Sequence, residues 1–219
     1  MGRSWYVDML VETIPVGVFR CNCTIVACET TRKAVVIDPG DEPERILAII
    51  RANGLDVTHI LHTHAHLDHI MGTFDVVQGT GALAHLHDGD RPLWDNIDRI
   101  AASYHIPTPK TPPLAEPLED GKTFCFGSAD VHVVHTPGHT LGSCCFTVGL
   151  ENGRTLLLSG DTLFRGKIGL ASQPFRNSER LIASIRDRLF ALNDDTQVIP
   201  GHGPRTEIGV EKRHNPFLA

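Results

Sequence analysis

Residues 62–69 read His-Thr-His-Ala-His-Leu-Asp-His, and within them His64, His66, Asp68 and His69 form the pattern His-x-His-x-Asp-His. Imidazoles suit zinc, iron and related ions, and a carboxylate adds a harder oxygen donor, so this run is a metal-ligand cluster by composition. In an extended segment alternate side chains share a side, which puts His64 and His66 together. The adjacent Asp68 and His69 can then turn toward a second position close by.

Three more donors each stand just beyond an apolar run. Val131-His132-Val133-Val134 leads to His139, Leu156-Leu157-Leu158 to Asp161, and Val198-Ile199 to His202. A glycine precedes each of the three, a residue that lets the backbone turn sharply and aim the next side chain into a cleft. Seven donors at four strand ends suit two metal ions. Three histidines would serve one, an aspartate and two histidines the other, and one carboxylate would bridge.

The segments that must carry these donors are short strands and amphipathic helices. Strands are expected near Trp5–Leu10, Gly17–Phe19, Thr24–Ala27 and Ala34–Ile37, followed by an Asp38-Pro39-Gly40 turn. Asp41, Pro43 and Glu44 mark a helix start, Ile46, Leu47, Ile49 and Ile50 its buried face, and Asn53-Gly54 its end. Val57–Leu61 reads as a buried strand that delivers the histidine cluster. A helix within His69–Val77, a strand at Leu83–Leu86 and a helix at Arg91–Ser103 follow. Residues 106–117 hold five prolines and read as an exposed loop. Strands resume near Thr123–Phe126, Val131–His135, Ser143–Val148 and Thr155–Leu158. Leu181, Ile182, Ile185, Leu189 and Leu192 then repeat at helical spacing, and Gln197–Ile199 is the last expected strand. Two strand-rich stretches, each followed by helices, predict an α/β protein of two sheets covered by helices.

At 219 residues, 41% hydrophobic and 21% charged, the chain has the composition of a globular protein, and one domain spanning 1–219 is expected. A formal charge of −6 and no basic run argue against a nucleic-acid surface. No segment is long and apolar enough to span a membrane, and the first nineteen residues, which include Asp8 and Glu12, make a poor signal peptide. The six cysteines contain no Cys-x-x-Cys pair. Cys21 and Cys23 read as small core residues on one strand face rather than a zinc half-site, and a reducing, cytoplasmic setting is expected.

Taken together, His-x-His-x-Asp-His, Thr136-Pro137-Gly138-His139-Thr140, Ser159-Gly160-Asp161-Thr162-Leu163-Phe164 and Pro200-Gly201-His202-Gly203 resemble the metallo-β-lactamase superfamily in order and spacing. Asn22-Cys23, Ile37-Asp38-Pro39-Gly40 and the Gly203-Pro204 to Asn215-Pro216-Phe217 stretch are similar to its short glyoxalase II-like branch. The resemblance covers almost the whole chain and implies an αββα sandwich. It implies that His64, His66 and His139 hold one metal, that Asp68, His69 and His202 hold another, and that Asp161 bridges them. Zinc is the expected metal, with iron or manganese as alternatives. His62 and His135 flank ligands and are candidates to orient them. His59, His85, His87, His105, His132 and His214 read as ordinary polar positions.

The implied chemistry is hydrolysis of a small-molecule ester or thioester, foremost a hydroxyacyl-glutathione-like thioester, by a hydroxide shared between two metals. Asp68 would orient that hydroxide. The C-terminal helical domain that supplies much of the glutathione site in full-length glyoxalase II is not expected here, which leaves glutathione recognition open. Leu170-Ala171-Ser172, in place of the branch's usual Arg-Thr-Asp, implies a more apolar or differently shaped substrate mouth. Arg165, Lys167 and Arg176 are candidate carboxylate-binding residues, and Trp94, Phe164 and Phe175 candidate pocket residues. Lactone hydrolysis and a mononuclear-iron persulfide dioxygenase are the alternative readings.

Overall fold

A computed structural model describes residues 8–150, 153–170 and 178–218. The first sheet contains β1 (Met9–Val16), β2 (Cys21–Cys28), β3 (Lys33–Ile37), β4 (Asp56–Leu61) and β5 (Leu83–His85), in that spatial order. β1, β2 and β3 are antiparallel neighbours, whereas β3, β4 and β5 run parallel. The parallel pairs need crossovers. α1 (Pro43–Ala52) makes the first, while α2 (Leu67–Ile70) and α3 (Thr73–Thr80) make the second.

The second sheet is built from β6 (Thr123–Phe126), β7 (Ala129–His135), β8 (Cys144–Gly149), β9 (Thr155–Gly160), β12 (Gln197–Pro200) and β13 (Thr206–Glu207). Its order is β13-β12-β9-β8-β7-β6, with only β9 and β12 parallel. A small separate hairpin of β10 (Leu163–Phe164) and β11 (Lys167–Ile168) follows β9 in the chain. α4 (Arg91–Asp95) and α5 (Ile97–Ser103) precede this sheet; α6 (Ser178–Ser184) and α7 (Ile208–His214) pack outside it.

Alternation along the strands sorts the core into layers. Val26, Val35, Ile37 and Leu61 of the first sheet meet Phe126, Val131, Val133, Phe146, Leu158 and Ile199 of the second. The other face of the first sheet packs Ile25, Val36 and Ile60 on Ile46, Leu47 and Ile50 of α1 and Val76 of α3. The outer face of the second packs Cys145, Leu157 and Val198 on Leu181, Ile185, Leu189 and Ile208. The molecule is therefore an αββα sandwich.

Several local expectations shift. The first hairpin is longer than the apolar pattern suggests: β1 runs through Glu12, Thr13 and Pro15, and residues 17–20 form its turn rather than a strand. An edge strand tolerates such residues because one side of its ladder is unpaired. Trp5–Val7 lie outside the described residues. At α1 the N-cap is Glu42, at φ 50°, with no side-chain cap. Asp41 instead accepts from the Glu42 amide. The helix expected at Arg91–Ser103 breaks at Asn96, the repeat after Leu181 continues past α6 as a wider turn over Ile185–Leu189, and β13 and α7 follow the last expected strand.

The strand ends that matter for chemistry gather at one rim. β3 and β4 run parallel with Ile37 beside Leu61, so Asp38 and the 62–69 loop leave the first sheet together. β9 and β12 are parallel and end at Gly160 and Pro200, so Asp161 and His202 leave the second sheet on the same side.

Candidate metal centre

The seven donors converge at this rim. His66 Nδ1 lies 3.0 Å from both His64 Nε2 and His139 Nε2, and the last two are 3.2 Å apart. Four-coordinate zinc at about 2.0–2.1 Å from each nitrogen would space its ligands by roughly 3.3 Å, so this triangle has the size of a coordination shell. Asp68, His69 and His202 form a second group. His202 Nε2 is 3.3 Å from His69 Nε2, and Asp68 Oδ2 lies 3.1 Å from His202 Nε2 and 3.7 Å from His69 Nε2.

Asp161 stands between the groups. Its Oδ1 is 3.4 Å from His69 Nε2 and 3.6 Å from His202 Nε2, while its Oδ2 is 3.5 Å from His139 Nε2. Among the described residues Asp161 Oδ1 is buried without a hydrogen-bond partner. An orphaned buried carboxylate oxygen is costly unless a cation meets it, which fits a metal here.

Hydrogen bonds at the far side of the rings decide which nitrogens face inward. His139 Nδ1 donates to the Leu170 carbonyl (2.6 Å) and His202 Nδ1 to the Phe19 carbonyl (3.0 Å). His69 Nδ1 donates to Asp38 Oδ2 at 2.9 Å. Thr63 Oγ1 gives its proton to Asp38 (2.6 Å) and so accepts from His64 Nδ1 at 3.0 Å. Neutral imidazole carries one N–H, so the neutral His64 and His139 rings turn a bare Nε2 lone pair into the cleft, and His69 and His202 do so once they lose their Nε2 proton. In the three-histidine group, lone pairs packed at 3.0–3.2 Å repel unless a cation lies among them.

Burial, reinforced by the neighbouring rings, holds His64 and His139 below the usual histidine range and His66 down to about 4. The second group differs. Burial opposes a charge on His69 and His202, but nearby carboxylates outweigh it and raise both. Cys21 Sγ is 3.5 Å from His69 Nδ1, yet burial pushes that thiol up to about 11, so the charge beside His69 comes from Asp38 and Asp161. Burial also works against ionised Asp161 and Asp68, and the imidazoles overcome it, holding both below the normal carboxylate range.

Glycine serves the site in two ways. Gly138 and Gly160 take positive φ, 150° and 48°, as turns into His139 and Asp161 require. Gly201 is constrained by space instead: a Cβ there would lie 2.3 Å from Asp161 Oδ1 and 2.8 Å from His69 Cε1.

Other expected residues sit elsewhere. His62 bonds to the His85 carbonyl and Thr73, and His135 to the Leu141 carbonyl, so neither orients a ligand directly. Trp94, expected in the pocket, is 5% exposed and packs among Leu67, Ile70 and Ile97 with its ring against His62, because its apolar area is satisfied in the core. Arg165 lines a separate cleft of about 260 Å³ with Gln197, Arg205 and Glu207, away from the donors. Lys167 is exposed on β11, while Phe164 lies at the mouth with its ring 6.4 Å from that of His202. Arg176 and Phe175, with residues 171–172, lie outside the described residues. Val18, Phe19 and Leu170 are exposed apolar side chains on the loops whose carbonyls hold His202 and His139. Of the histidines read as ordinary, His59 and His85 bond to each other at 3.0 Å, and His87 stacks on His135.

Two buried carboxylates behind the donors escaped the sequence reading as positioning groups. Asp38, 1% exposed, accepts from the Thr63 amide, the Thr63 hydroxyl and His69. Asp90, fully buried, accepts from the Ala65 and Gly142 amides and the Thr140 hydroxyl. Asp38 stands in a recognisable turn, but Asp90 lies in Asp88-Gly89-Asp90, which carries no local signal of burial.

Comparison with known proteins identifies the family and the fold. A profile of the metallo-beta-lactamase superfamily matches residues 16–202. An uncharacterized protein of Mycobacterium tuberculosis is 37% identical over 221 residues, covering 96% of this chain and 98% of its own. Hydroxyacylglutathione hydrolase GloC of Haemophilus influenzae is 35% identical over 212 residues, covering 96% and 98%. Among solved structures, TTHA1623 in a di-iron-bound form superposes with a TM-score of 0.83 at 39% identity, covering 95% of this chain and all of that one. The BLEG-1 B3 metallo-beta-lactamase superposes with a TM-score of 0.85 at 31% identity, covering 95% and 99%. The chain belongs to the metallo-beta-lactamase superfamily.

Proposed function

We propose that the protein is a binuclear metal-dependent hydrolase acting on a thioester. His64, His66 and His139 would hold one ion, Asp68, His69 and His202 the other, and Asp161 would bridge them with one oxygen toward each group. The observation that carries this reading is the set of bare inward nitrogens of the three-histidine group beside Asp161, whose buried Oδ1 lacks a hydrogen-bond partner among the described residues. Zinc is the proposed metal; the di-iron form of a 39% identical neighbour keeps iron as the alternative.

When bound, such ions lower the pKa of water toward neutrality and polarise a carbonyl oxygen. The chain's own residues do the rest. Asp68, with a side chain 22% exposed, reaches the cleft and can accept a hydrogen bond from the attacking water, fixing its orientation. Asp38, Thr63 and the Leu170 and Phe19 carbonyls hold the imidazoles in one tautomer, so no ring has to turn as charge develops. A thioester suits this arrangement because a thiolate, from a thiol of pKa about 8.5, leaves without a dedicated acid. Val18, Phe19, Phe164 and Leu170 favour an apolar group at the mouth.

The relative named hydroxyacylglutathione hydrolase is matched over 98% of its length, so chain length is no argument against a glutathione thioester. We place the enzyme in the cytoplasm, acting on a small molecule, in keeping with six cysteines that contain no Cys-x-x-Cys pair. Among the described residues no helix is long and apolar enough to cross a membrane. The likeness to a B3 metallo-beta-lactamase makes β-lactam cleavage the second reading. A panel of glutathione, coenzyme A and aryl thioesters, lactones and a β-lactam tests the assignment. Thioesters should turn over fastest; turnover of lactones or the β-lactam with every thioester inert would overturn it.

A further inference from the structure

Asp90 is a charged side chain with no exposed surface and no cation among its hydrogen-bond partners. Its Oδ2 accepts from the Ala65 amide at 2.9 Å and from Thr140 Oγ1 at 2.8 Å, and its Oδ1 accepts from the Gly142 amide at 2.7 Å. Three donors converging on two oxygens suit a carboxylate, which only accepts. The identity of the donors is informative. Ala65 lies between His64 and His66, and Thr140 follows His139. One carboxylate therefore ties together, within a single residue of each histidine, the two loops that carry the three-histidine group.

The tie is braced on both sides. Ser143 Oγ accepts from the Thr140 amide at 2.9 Å and lies 2.7 Å from Thr140 Oγ1, so the hydroxyl's own proton is directed to Asp90. The two loops interlock closely enough that a Cβ on Gly142 would lie 2.6 Å from the Asp90 nitrogen. Just before Asp90, His87 stacks on His135 with ring centroids 4.0 Å apart, and His135 bonds to the Leu141 carbonyl in the same loop as His139. The 62–69 loop leaves the first sheet and the 136–143 loop connects strands of the second, so Asp90 fixes the distance between ligands delivered by different sheets.

We propose that Asp90 is a positioning residue for metal binding: it clamps the His64–His66 loop to the His139 loop and so sets the geometry of the three-histidine site, acting on that site and not on the Asp68–His69–His202 site. The inference rests on the two-metal reading above. Replacing Asp90 by Asn keeps the shape but turns an amide N–H₂ toward groups that are themselves donors. Removing the Thr140 hydroxyl withdraws one strut and leaves the carboxylate in place.

The test is zinc titration of chelator-stripped full-length chain against a competing chromophoric chelator, with occupancy of each site read from anomalous scattering in crystals. Asp90→Asn should weaken zinc at the three-histidine site by about 10- to 100-fold, the range for groups that orient metal ligands, and leave the other site unchanged. Thr140→Val should weaken the same site by a smaller factor, and Thr140→Ser should restore it. These milder variants keep the test open should Asp90→Asn fail to fold. Equal loss at both sites, or unchanged zinc affinity with only a lower melting temperature of the metal-free protein, would overturn the inference and leave Asp90 a fold-stabilising residue. A wild-type chain that binds no second ion would instead overturn the two-metal reading.

Discussion

The two halves of the donor cluster solve opposite electrostatic problems. His64, His66 and His139 form a group that burial keeps neutral, His66 down to about pH 4. His69 and His202 face Asp68 and Asp161 and are raised, so without metal this half is held together by attraction between protonated imidazoles and carboxylates. The first half is a set of lone pairs in need of a cation; in the second, protons must leave before a cation enters. Buried carboxylates stand behind both: Asp90 ties the loops of the first, while Asp38 bonds His69 of the second directly and reaches His64 of the first through Thr63.

Asp161 joins the halves, so its loss should have the largest effect. Asp161→Ala should release metal from both groups and lower hydrolysis by about a thousandfold or more, since polarisation by bound metal supplies several kcal/mol at about 1.4 kcal/mol per factor of ten. Unchanged metal content in that variant would break the bridging assignment. The halves come apart in the next pair: His139→Ala should keep only the ion held by Asp68, His69 and His202, and His202→Ala only the other, as metal analysis of each would reveal. Asp38→Asn should then weaken the carboxylate half by about 10- to 100-fold and the three-histidine half by a smaller factor, through Thr63 and His64, judged by zinc titration.

A proton count sharpens the contrast. Histidines whose pKa is lowered are already neutral above their folded pKa, so metal entry at the first half should release almost no protons near neutrality. Entry at the second should release protons from His69 and His202 and weaken as pH falls through their raised values. Calorimetry in buffers of different ionisation enthalpy separates the two. The sign for stability follows the same logic. His66 drops from an ordinary 6.5 to about 4 on folding, so the metal-free protein should lose stability as pH falls from about 6.5 toward 4. The raised His69 works the other way: its contribution is present below about 6.5 and is lost as pH rises through its folded value. The smallest effect belongs to Arg165→Ala, within about twofold on hydrolysis, as expected of an exposed charge outside the site.

The sequence carried the donors and the layers because both follow local rules. Short apolar runs marked β4, β7 and β9, and a donor follows each of these strands. What it did not carry depends on long-range pairing. β1 runs through Glu12 and Pro15 because the edge of a sheet forgives them, which no local pattern reveals. Trp94 was legible as a large aromatic near the cluster but not as one buried against His62. Asp90 is twenty-five residues from Ala65 and fifty from Thr140, and only the folded loops make its carboxylate a shared acceptor. His59 and His85 likewise meet only because β4 and β5 are parallel neighbours.

The central claim is that one cleft holds two ions, and the metal content of protein purified without chelator tests it most directly. Elemental analysis should give nearly two divalent ions per chain. A single iron per chain, unchanged on addition of zinc or iron, would contradict the account.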